Sequence, residues 1–359
     1  MGAGILKEMS YETELRACLG DAAIPWGKLN GVSVLVTGAT GLIGSCLVRV
    51  LSEYAQRSTT SLTIYALVRD RKKAETLLAN CVRPCNLVLL EGDVCRPIKL
   101  DSSVDYIVHA ASRTDSAGFV TDPVSVIDTT ISGTKSVLEF AKDHGVRGVV
   151  FLSTMEVYGL NSEGGRIVES TYDSLDPLSV RNCYPISKCM AENICCAYHL
   201  QYGVPVTIAR LAQSFGPGVQ PGDGRVFSYF ARCVLENQDI VLKTKGGSKR
   251  VYVYTLDAVS AILILLIKGA RGEAYNIANE ETYCSIREMA EMVANRVAGG
   301  RIAVKTELED CPQYMPPHFL NLSSAKLRKL GWAPRYSLEG MYRGLVRYFE
   351  FTESGKQEA

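Results

Sequence analysis

The eight residues Thr37-Gly38-Ala39-Thr40-Gly41-Leu42-Ile43-Gly44 constrain this chain more than any other segment. They sit between a short apolar run, residues 32–36, and a stretch of helical period, residues 42–54. A glycine turn in that place joins a buried strand to a helix. Gly38 permits the tight turn, Gly41 lets the backbone approach a pyrophosphate, and Gly44 lets helix pack on strand. The helix N-terminus, Leu42 and Ile43 included, then offers free N–H groups and a positive dipole end to the phosphates. Gly-x-x-Gly-x-x-Gly in this setting is a variant of the dinucleotide fingerprint, so the expected cofactor is NAD or NADP.

The pattern continues with apolar runs at 62–68, 87–90, 106–109, 149–152 and 206–209, separated by helical stretches at 71–79 and 126–143. Strands alternating with helices predict an α/β fold, a doubly wound Rossmann-type parallel sheet covered on both faces. A loop rich in Pro and Gly follows at 217–224, and helical period returns at 226–236, 257–268, 286–297 and 338–349. The expected organisation has an N-terminal extension (1–30) whose short helix packs on the outside, then a dinucleotide-binding domain (31–215). Parts of 250–280 possess the texture to return to that domain. Residues 216–350 mainly form a smaller C-terminal α/β substrate lobe over the strand ends, and 351–359 form a polar, frayed tail.

Composition excludes several classes. With 39 Lys+Arg against 38 Asp+Glu, the formal charge is +1, which gives no global field for nucleic acid or acidic membranes. The longest apolar run, 258–267, is too short to span a bilayer and reads as a buried helix. No basic stretch leads into an apolar core at the start, and Leu6 breaks the myristoylation pattern after Met1-Gly2. The expectation is a soluble, cytoplasmic protein without nucleic-acid or membrane partners. The 12 cysteines include no Cys-x-x-Cys pair, and none of the 4 histidines is spaced i, i+4 with another. Most cysteines are expected to be small buried apolar residues, and no metal is expected.

At the end of the second strand, where an acidic residue would hold the ribose hydroxyls, Val68 is followed by Arg69. A guanidinium there pairs a 2′-phosphate, stacks on adenine, or is simply solvated in a charged run reaching Lys73. The choice between NAD and NADP stays open. Tyr184-Pro185-Ile186-Ser187-Lys188 places a phenol and an ammonium on one helix face. The cation favours phenolate, making a base that removes a hydroxyl proton during hydride transfer. Ser153-Thr154-Met155-Glu156-Val157-Tyr158-Gly159 follows a strand, and its hydroxyls would bond the same substrate oxygen. Read as extended chain, it points Thr154 and Glu156 to one face. His318 reads as a loop residue, Trp332 as packing of the small lobe, and Lys243 and Lys245 as a solvated strand face.

These motifs, with Gly92-Asp93-Val94, His109-Ala110-Ala111-Ser112, RLAQSFGPG (210–218), KRVYVYTLD (249–257) and LGWAP (330–334), occur in an order that resembles the extended short-chain dehydrogenase/reductase family (NAD-dependent epimerase/dehydratase) that remodels nucleotide sugars. The resemblance covers about residues 32–350. It implies Thr154, Tyr184 and Lys188 as the catalytic triad. It places Asp93 and Val94 at the adenine, Ala110, Ala111 and Ser112 along the cofactor, and Leu211 near the nicotinamide. It also implies a nucleotide-sugar substrate and a homodimer formed by the helices around 126–143 and 184–198. Two departures matter. Gln213 stands where the family usually has Asn, and Met155 replaces the Asp that is the general acid of the sugar 4,6-dehydratases. Within the family the chain is most similar to UDP-glucuronate decarboxylases, in Thr-x-Glu-Val-Tyr-Gly, in Asp223-Gly224-Arg225-Val226 and in Arg250. Their Tyr-Asp-Glu-Gly-Lys is Tyr-Pro-Ile-Ser-Lys here.

The chemistry implied is oxidation at C4 of a hexuronic acid, loss of CO2 from the β-keto acid, and return of hydride. Tyr184 would be the base, Glu156 would manage the proton, and Arg250 would lie near the carboxylate or clamp a diphosphate. Met155, Gln213, Arg225 and Val226 would line the substrate with Thr154 and Arg250. The alternatives are a nucleotide-sugar 4-epimerase or other dehydratase, for which Glu156 is a backbone cap, and a non-catalytic dinucleotide-sensing regulator. A sensor has no need for Thr154, Tyr184 and Lys188 together.

Overall fold

Seven parallel strands carry the first motif at their centre. In the computed structural model, which describes residues 11–58, 61–82, 86–159, 161, 164–220, 222–309 and 317–357, the first five strands are β1 (Ser33–Thr37), β2 (Thr63–Val68), β3 (Asn86–Glu91), β4 (Tyr106–His109) and β5 (Gly148–Thr154). Then come β6 (Arg166–Ile167), β7 (Val206–Leu211), β8 (Gln213–Phe215), β9 (Ile240–Leu242) and β10 (Lys249–Tyr254). The last are β11 (Ala274–Ile277), β12 (Asn279–Ser285), β13 (Val304–Thr306) and β14 (Phe319–Leu322). The order β11-β7-β5-β4-β1-β2-β3 reverses between β4 and β1, the switch point at which open α/β sheets bind ligands. Register pairs Thr37 with His109 and Thr154 with Leu211, so both chemical motifs end at the same sheet edge.

The early helices are α1 (Tyr11–Leu19), α2 (Leu42–Arg57), α3 (Arg71–Leu77), α4 (Ala79–Val82), α5 (Gly118–Thr121) and α6 (Pro123–His144). They are followed by α7 (Cys183–Tyr202), α8 (Val226–Glu236), α9 (Thr255–Lys268), α10 (Ile286–Met292), α11 (Ala325–Arg328) and α12 (Leu338–Gln357). The apolar run at 258–267 lies in α9, which is buried nearly throughout against β5 and β7. Each of its fully buried Ile and Leu side chains stabilises the fold by about 1.5–3 kcal/mol. Within 250–280, β11 pairs with β7 in the first sheet, while β10 belongs to the second.

The second sheet runs β12-β10-β14-β6, with β8 added on β10. Only Ala212 separates β7 in the first sheet from β8 in the second, so the chain changes sheets between Leu211 and Gln213.

Several expectations need correction. The short helix α1 packs on α2 and α9 and is tied to the interior through Glu14, which is buried, accepts a hydrogen bond from Tyr254 Oη at 2.6 Å, and pairs with Arg347 at 3.0 Å. Residues 1–10 lie outside the described residues. The stretch after Thr352 is helical through Gln357, since α12 continues there. The stretch 286–297 is an α-helix only to Met292 and then widens to a π-turn. Trp332 packs against α9, not within the small lobe alone, and its indole donates to Asp257 O and Ser260 Oγ at 3.0 Å. Lys243 is salt-bridged to Glu307 and Glu309. Among the 10 described cysteines, all free thiols, six are buried. Among the described residues no helix is long and apolar enough to cross a membrane.

Candidate active site

The glycine turn is shaped by contacts that no side chain would tolerate. Gly38 has φ +67°, and a Cβ there would stand 2.6 Å from the Ala111 nitrogen. A Cβ on Gly44 would stand 2.2 Å from the Gly38 carbonyl oxygen. Gly41 is the N-cap of α2, and no side chain caps that helix, so its first amides are left for a ligand. Gly41, Leu42, Ile43 and Gly44 form one wall of an open cavity. Ala110, Ser112, Thr154, Met155, Tyr184, Lys188 and Leu211 form the others. Ser112 Oγ is buried there without a hydrogen-bond partner of normal geometry among the described residues. A bare helix N-terminus, a glycine cradle and an orphaned hydroxyl fit a bound dinucleotide.

Tyr184 and Lys188 lie one turn apart at the start of α7. The Lys188 ammonium is buried, donates to the Leu152 carbonyl at 2.8 Å, and sits 4.7 Å from the Phe151 ring centre. Burial lowers its pKa to about 8, against the pull of Glu192. The Tyr184 ring stacks on Phe119, with centroids 4.7 Å apart and planes within 8°. Burial and the nearby Glu156 charge hold the phenol protonated to higher pH, while the Thr154 and Ser112 hydroxyls and Arg225 oppose that shift. Burial thus favours the phenol, and positive charge brought near the ring favours the phenolate.

Thr154 ends β5, and the chain then turns. Met155–Tyr158 is a 3-10 turn whose Glu156 N–H donates to Thr154 Oγ1 at 3.2 Å. The expected extended geometry is therefore wrong, because the Thr154 hydroxyl caps a turn. Glu156 reaches the site from that turn. It lines both the first cavity and a second one of about 1500 Å3, formed with Gln213, Arg225, Val226, Arg250 and Tyr252. Burial raises the Glu156 pKa, while Arg181 and Arg250 restrain the rise.

The other predicted residues divide cleanly. Gln213 and Arg225 line both cavities, and Val226 and Arg250 line the second. Arg225 is held by Asp223 at 2.5 Å. His318 is more than a loop residue: its Nε2 accepts from Arg250 Nη2 at 2.7 Å. Arg69 and Asp93 are exposed beyond the ends of β2 and β3, Val94 is in the core, and Ala111 donates its N–H to Thr37 Oγ1. These four stand outside the lining of both cavities. Sequence reasoning missed Phe119, Arg181, Tyr252 and the loop residues Thr114 and Ser116. The only signal for Arg181 was its place three residues before Tyr184.

Comparison with known proteins agrees with this geometry. Residues 34–278 match the NAD dependent epimerase/dehydratase family. UDP-glucuronic acid decarboxylase 1 of Xenopus tropicalis is 31% identical over 317 residues, covering 88% of this chain and 72% of the relative. UDP-glucuronic acid decarboxylase 6 of Arabidopsis thaliana is 30% identical, covering 87% of each. Among solved structures, the dTDP-glucose 4,6-dehydratase DesIV of Streptomyces venezuelae, with NAD and TYD bound, superposes with a TM-score of 0.73 at 26% identity. That match covers 90% of this chain and 98% of the dehydratase. The UDP-glucuronic acid 4-epimerase of Bacillus cereus shares the fold, with a TM-score of 0.74 at 21% identity over 89% of this chain and 100% of that one. With relatives of this similarity along most of its length, and the family matched from β1 through β11, the chain is an NAD-dependent sugar-modifying enzyme and belongs to the NAD dependent epimerase/dehydratase family.

Proposed function

We propose that this enzyme decarboxylates a nucleotide-linked hexuronic acid, with UDP-glucuronate the leading substrate, through a transient 4-keto sugar. The observation that carries the reading is Glu156, which stands where the two cavities meet, beside Tyr184 and between Arg181 and Arg250. The relatives named above, decarboxylases of UDP-glucuronic acid, support the same substrate. When bound, NAD or NADP would supply the acceptor for the C4 hydride and the donor that restores it. Tyr184, as phenolate, takes the O4 proton, with Thr154 bonded to the same oxygen and Lys188 favouring the anion. The resulting ketone lies β to the carboxylate, so the C5–C6 bond breaks with its electron pair passing into an enolate and CO2 leaving. Glu156 then handles the proton that returns to C5. Tyr184 would give its proton back to O4 once the C4 ketone is reduced.

Gly38, Gly41, Leu42, Ile43, Gly44, Ala110, Ala111, Ser112 and Leu211 would hold the cofactor, with Arg69, Asp93 and Val94 at its adenosine end. Met155, Gln213, Arg225, Val226 and Arg250 would face the nucleotide sugar. Apolar side chains exposed on α6 and α7, including Val124, Ile127 and Met190, support a homodimer through these helices. Light scattering that reports a monomer at micromolar concentration would refute that. Free thiols throughout the described residues fit a reducing compartment, and the cytoplasm is the proposed location.

The test is mass spectrometry of purified enzyme incubated with UDP-glucuronate and other UDP-, dTDP-, GDP- and CDP-sugars. Loss of CO2 from the acid supports the reading. An isomer of unchanged mass means epimerisation, and loss of water means dehydration; either one sinks it.

A further inference from the structure

Among the described residues Arg181 is the arginine of the substrate-side cavity whose guanidinium makes no hydrogen bond at all, whereas Arg250 is bonded through one Nη and has a buried Nε without a partner. Arg225 is committed to Asp223, at 2.9 and 2.5 Å, and Arg250 donates to His318. Arg181 approaches Glu156 Oε2 only to 3.8 Å, beyond hydrogen-bond range, and its guanidinium makes no hydrogen bond among the described residues. Yet it is held in place. Its guanidinium carbon lies 4.8 Å from the centre of the Phe119 ring, the ring that also stacks on Tyr184. The short helical turn Val180–Asn182 leads directly into α7 and fixes Arg181 relative to Tyr184. This is a pre-oriented fork of N–H donors, about a third exposed, on the wall of the cavity.

Its position relates to one part of a uronic acid. The phenol of Tyr184 would hold O4, and the carboxylate is carried on C5, the adjacent ring carbon. A group there must lie within a few ångströms of the phenol. Glu156 is already close enough to raise the Tyr184 pKa, and Arg181 is beside Glu156. An anionic C6 group placed next to Glu156 would be repelled unless a cation faced both. Arg181 faces Glu156 and has donors left for a second carboxylate, which a guanidinium binds through two parallel N–H···O bonds.

We propose that Arg181 is the specificity-determining residue for the substrate's C6 carboxylate, leaving Arg225 and Arg250 to the nucleotide diphosphate. This rests on the proposed uronic-acid substrate. The clamp selects the acid in the ground state. It must release as CO2 departs, because an ion-paired carboxylate is slower to give up its electrons to the ring. A contact long enough to be shared with Glu156 suits that task better than a dedicated buried pair.

The experiment is titration calorimetry on protein carrying Tyr184→Phe, which silences turnover, with and without Arg181→Met. The probes are UDP-glucuronate, UDP-glucose, in which the carboxylate is a neutral CH2OH, and UDP-xylose, which lacks C6. Losing a charge-assisted bidentate contact predicts about 10- to 100-fold weaker UDP-glucuronate binding in the Arg181→Met protein. The two neutral sugars should change by less than about threefold on the same basis. Retained cofactor, read by absorbance after denaturation, confirms that the variant is folded. Equal losses for all three sugars would make Arg181 a structural neighbour of Glu156 and overturn the proposal, as would no loss for any. The substrate reading fails separately: if the Arg181-containing protein does not prefer UDP-glucuronate to UDP-glucose, the uronic-acid assignment falls and takes this role with it.

Discussion

Glu192 accepts a hydrogen bond from Ser153 Oγ at 2.5 Å, one residue before Thr154, while Arg210 grips the same carboxylate at 2.6 Å. The contact joins the strand that ends in Thr154 to the helix that carries Tyr184 and Lys188, because Glu192 lies one turn beyond Lys188 on α7. Arg210, on β7, also donates to Tyr158 Oη, which in turn donates to Asn276. One buried ion pair thus ties β5, α7, β7 and β11 behind the site.

Removing one partner of a buried pair leaves the other charge unpaired, which costs about 3–5 kcal/mol. Arg210→Met is expected to lower unfolding stability by about that amount in urea titration. The double variant Arg210→Met with Glu192→Met should recover much of the loss, since it buries no lone charge. If the double variant is as unstable as both single losses added, the two residues act independently.

Tyr184→Phe keeps the ring that stacks on Phe119 and removes the oxygen. Turnover is expected to fall by about 10²–10⁴-fold while the cofactor stays bound. Cofactor occupancy and single-turnover rates measured on the same preparation check this. Activity at the parent rate would end the assignment of Tyr184 as base.

His109 carries a pH dependence unrelated to catalysis. Its ring sits between Thr37 Oγ1, at 2.7 Å, and Thr134 Oγ1, at 3.3 Å. Burial, with a smaller contribution from Lys188, lowers its pKa to about 3. Between that value and about 6.5 the unfolded chain takes up a proton that the folded chain refuses. Stability therefore rises with pH across this window, and acidification from pH 7 to 5 removes about 2 kcal/mol through this group. His109→Gln should be less stable than the parent at pH 7 and should close about 2 kcal/mol of that gap by pH 5. A gap that does not change with pH would mean that folding leaves the His109 pKa where it is in the unfolded chain.

At the proposed adenosine end, Asp70 is spent as the N-cap of α3, accepting from the Lys73 N–H at 2.9 Å, and Val68 is in the core. That leaves Arg69 to discriminate. If it holds a 2′-phosphate, Arg69→Ala weakens NADP binding about 10-fold or more and NAD little, as read by fluorescence titration of the reduced forms with apoprotein. Equal losses for both would make Arg69 a stacking or bystander residue.

The sheet was legible because its strands are buried on both faces and read as unbroken apolar runs, as at Val34–Leu35–Val36. The glycine turn was legible because Gly38 and Gly44 face contacts that exclude a Cβ. Tyr184 and Lys188 were legible because helical spacing fixes their relation. Phe119 and Arg181 were not. Both come from short segments outside the periodic elements, and only tertiary packing brings them to Tyr184. Glu156 was found for a partly mistaken reason: period-2 alternation fails once the Thr154 hydroxyl caps a 3-10 turn. His318 gave no signal, since nothing local marks a partner 68 residues away.

Glu156→Gln separates oxidation at C4 from the loss of CO2 and the reprotonation of C5. On the proposed mechanism Tyr184, Thr154 and Lys188 suffice for oxidation at C4, so the variant should still reduce its bound nicotinamide when UDP-glucuronate is added. Glutamine keeps the shape and the hydrogen-bonding capacity of the side chain but cannot exchange a proton near neutral pH. It also removes the Glu156 charge, which adds to the larger effect of burial in raising the Tyr184 pKa, so the phenolate should form no less readily and the oxidation step should not slow. Stopped-flow absorbance at the reduced-nicotinamide band is expected to show a burst at or above the parent rate. Steady-state product should then fall by about 10²-fold or more, the effect of losing a positioned proton donor. Slow release of CO2 with the burst intact would place Glu156 at carbon–carbon cleavage, and normal CO2 release with a stalled keto pentose would place it at reprotonation of C5. If the variant instead turns over UDP-glucuronate at the parent rate, Glu156 is a structural carboxylate, and the decarboxylase mechanism loses the residue on which it was built.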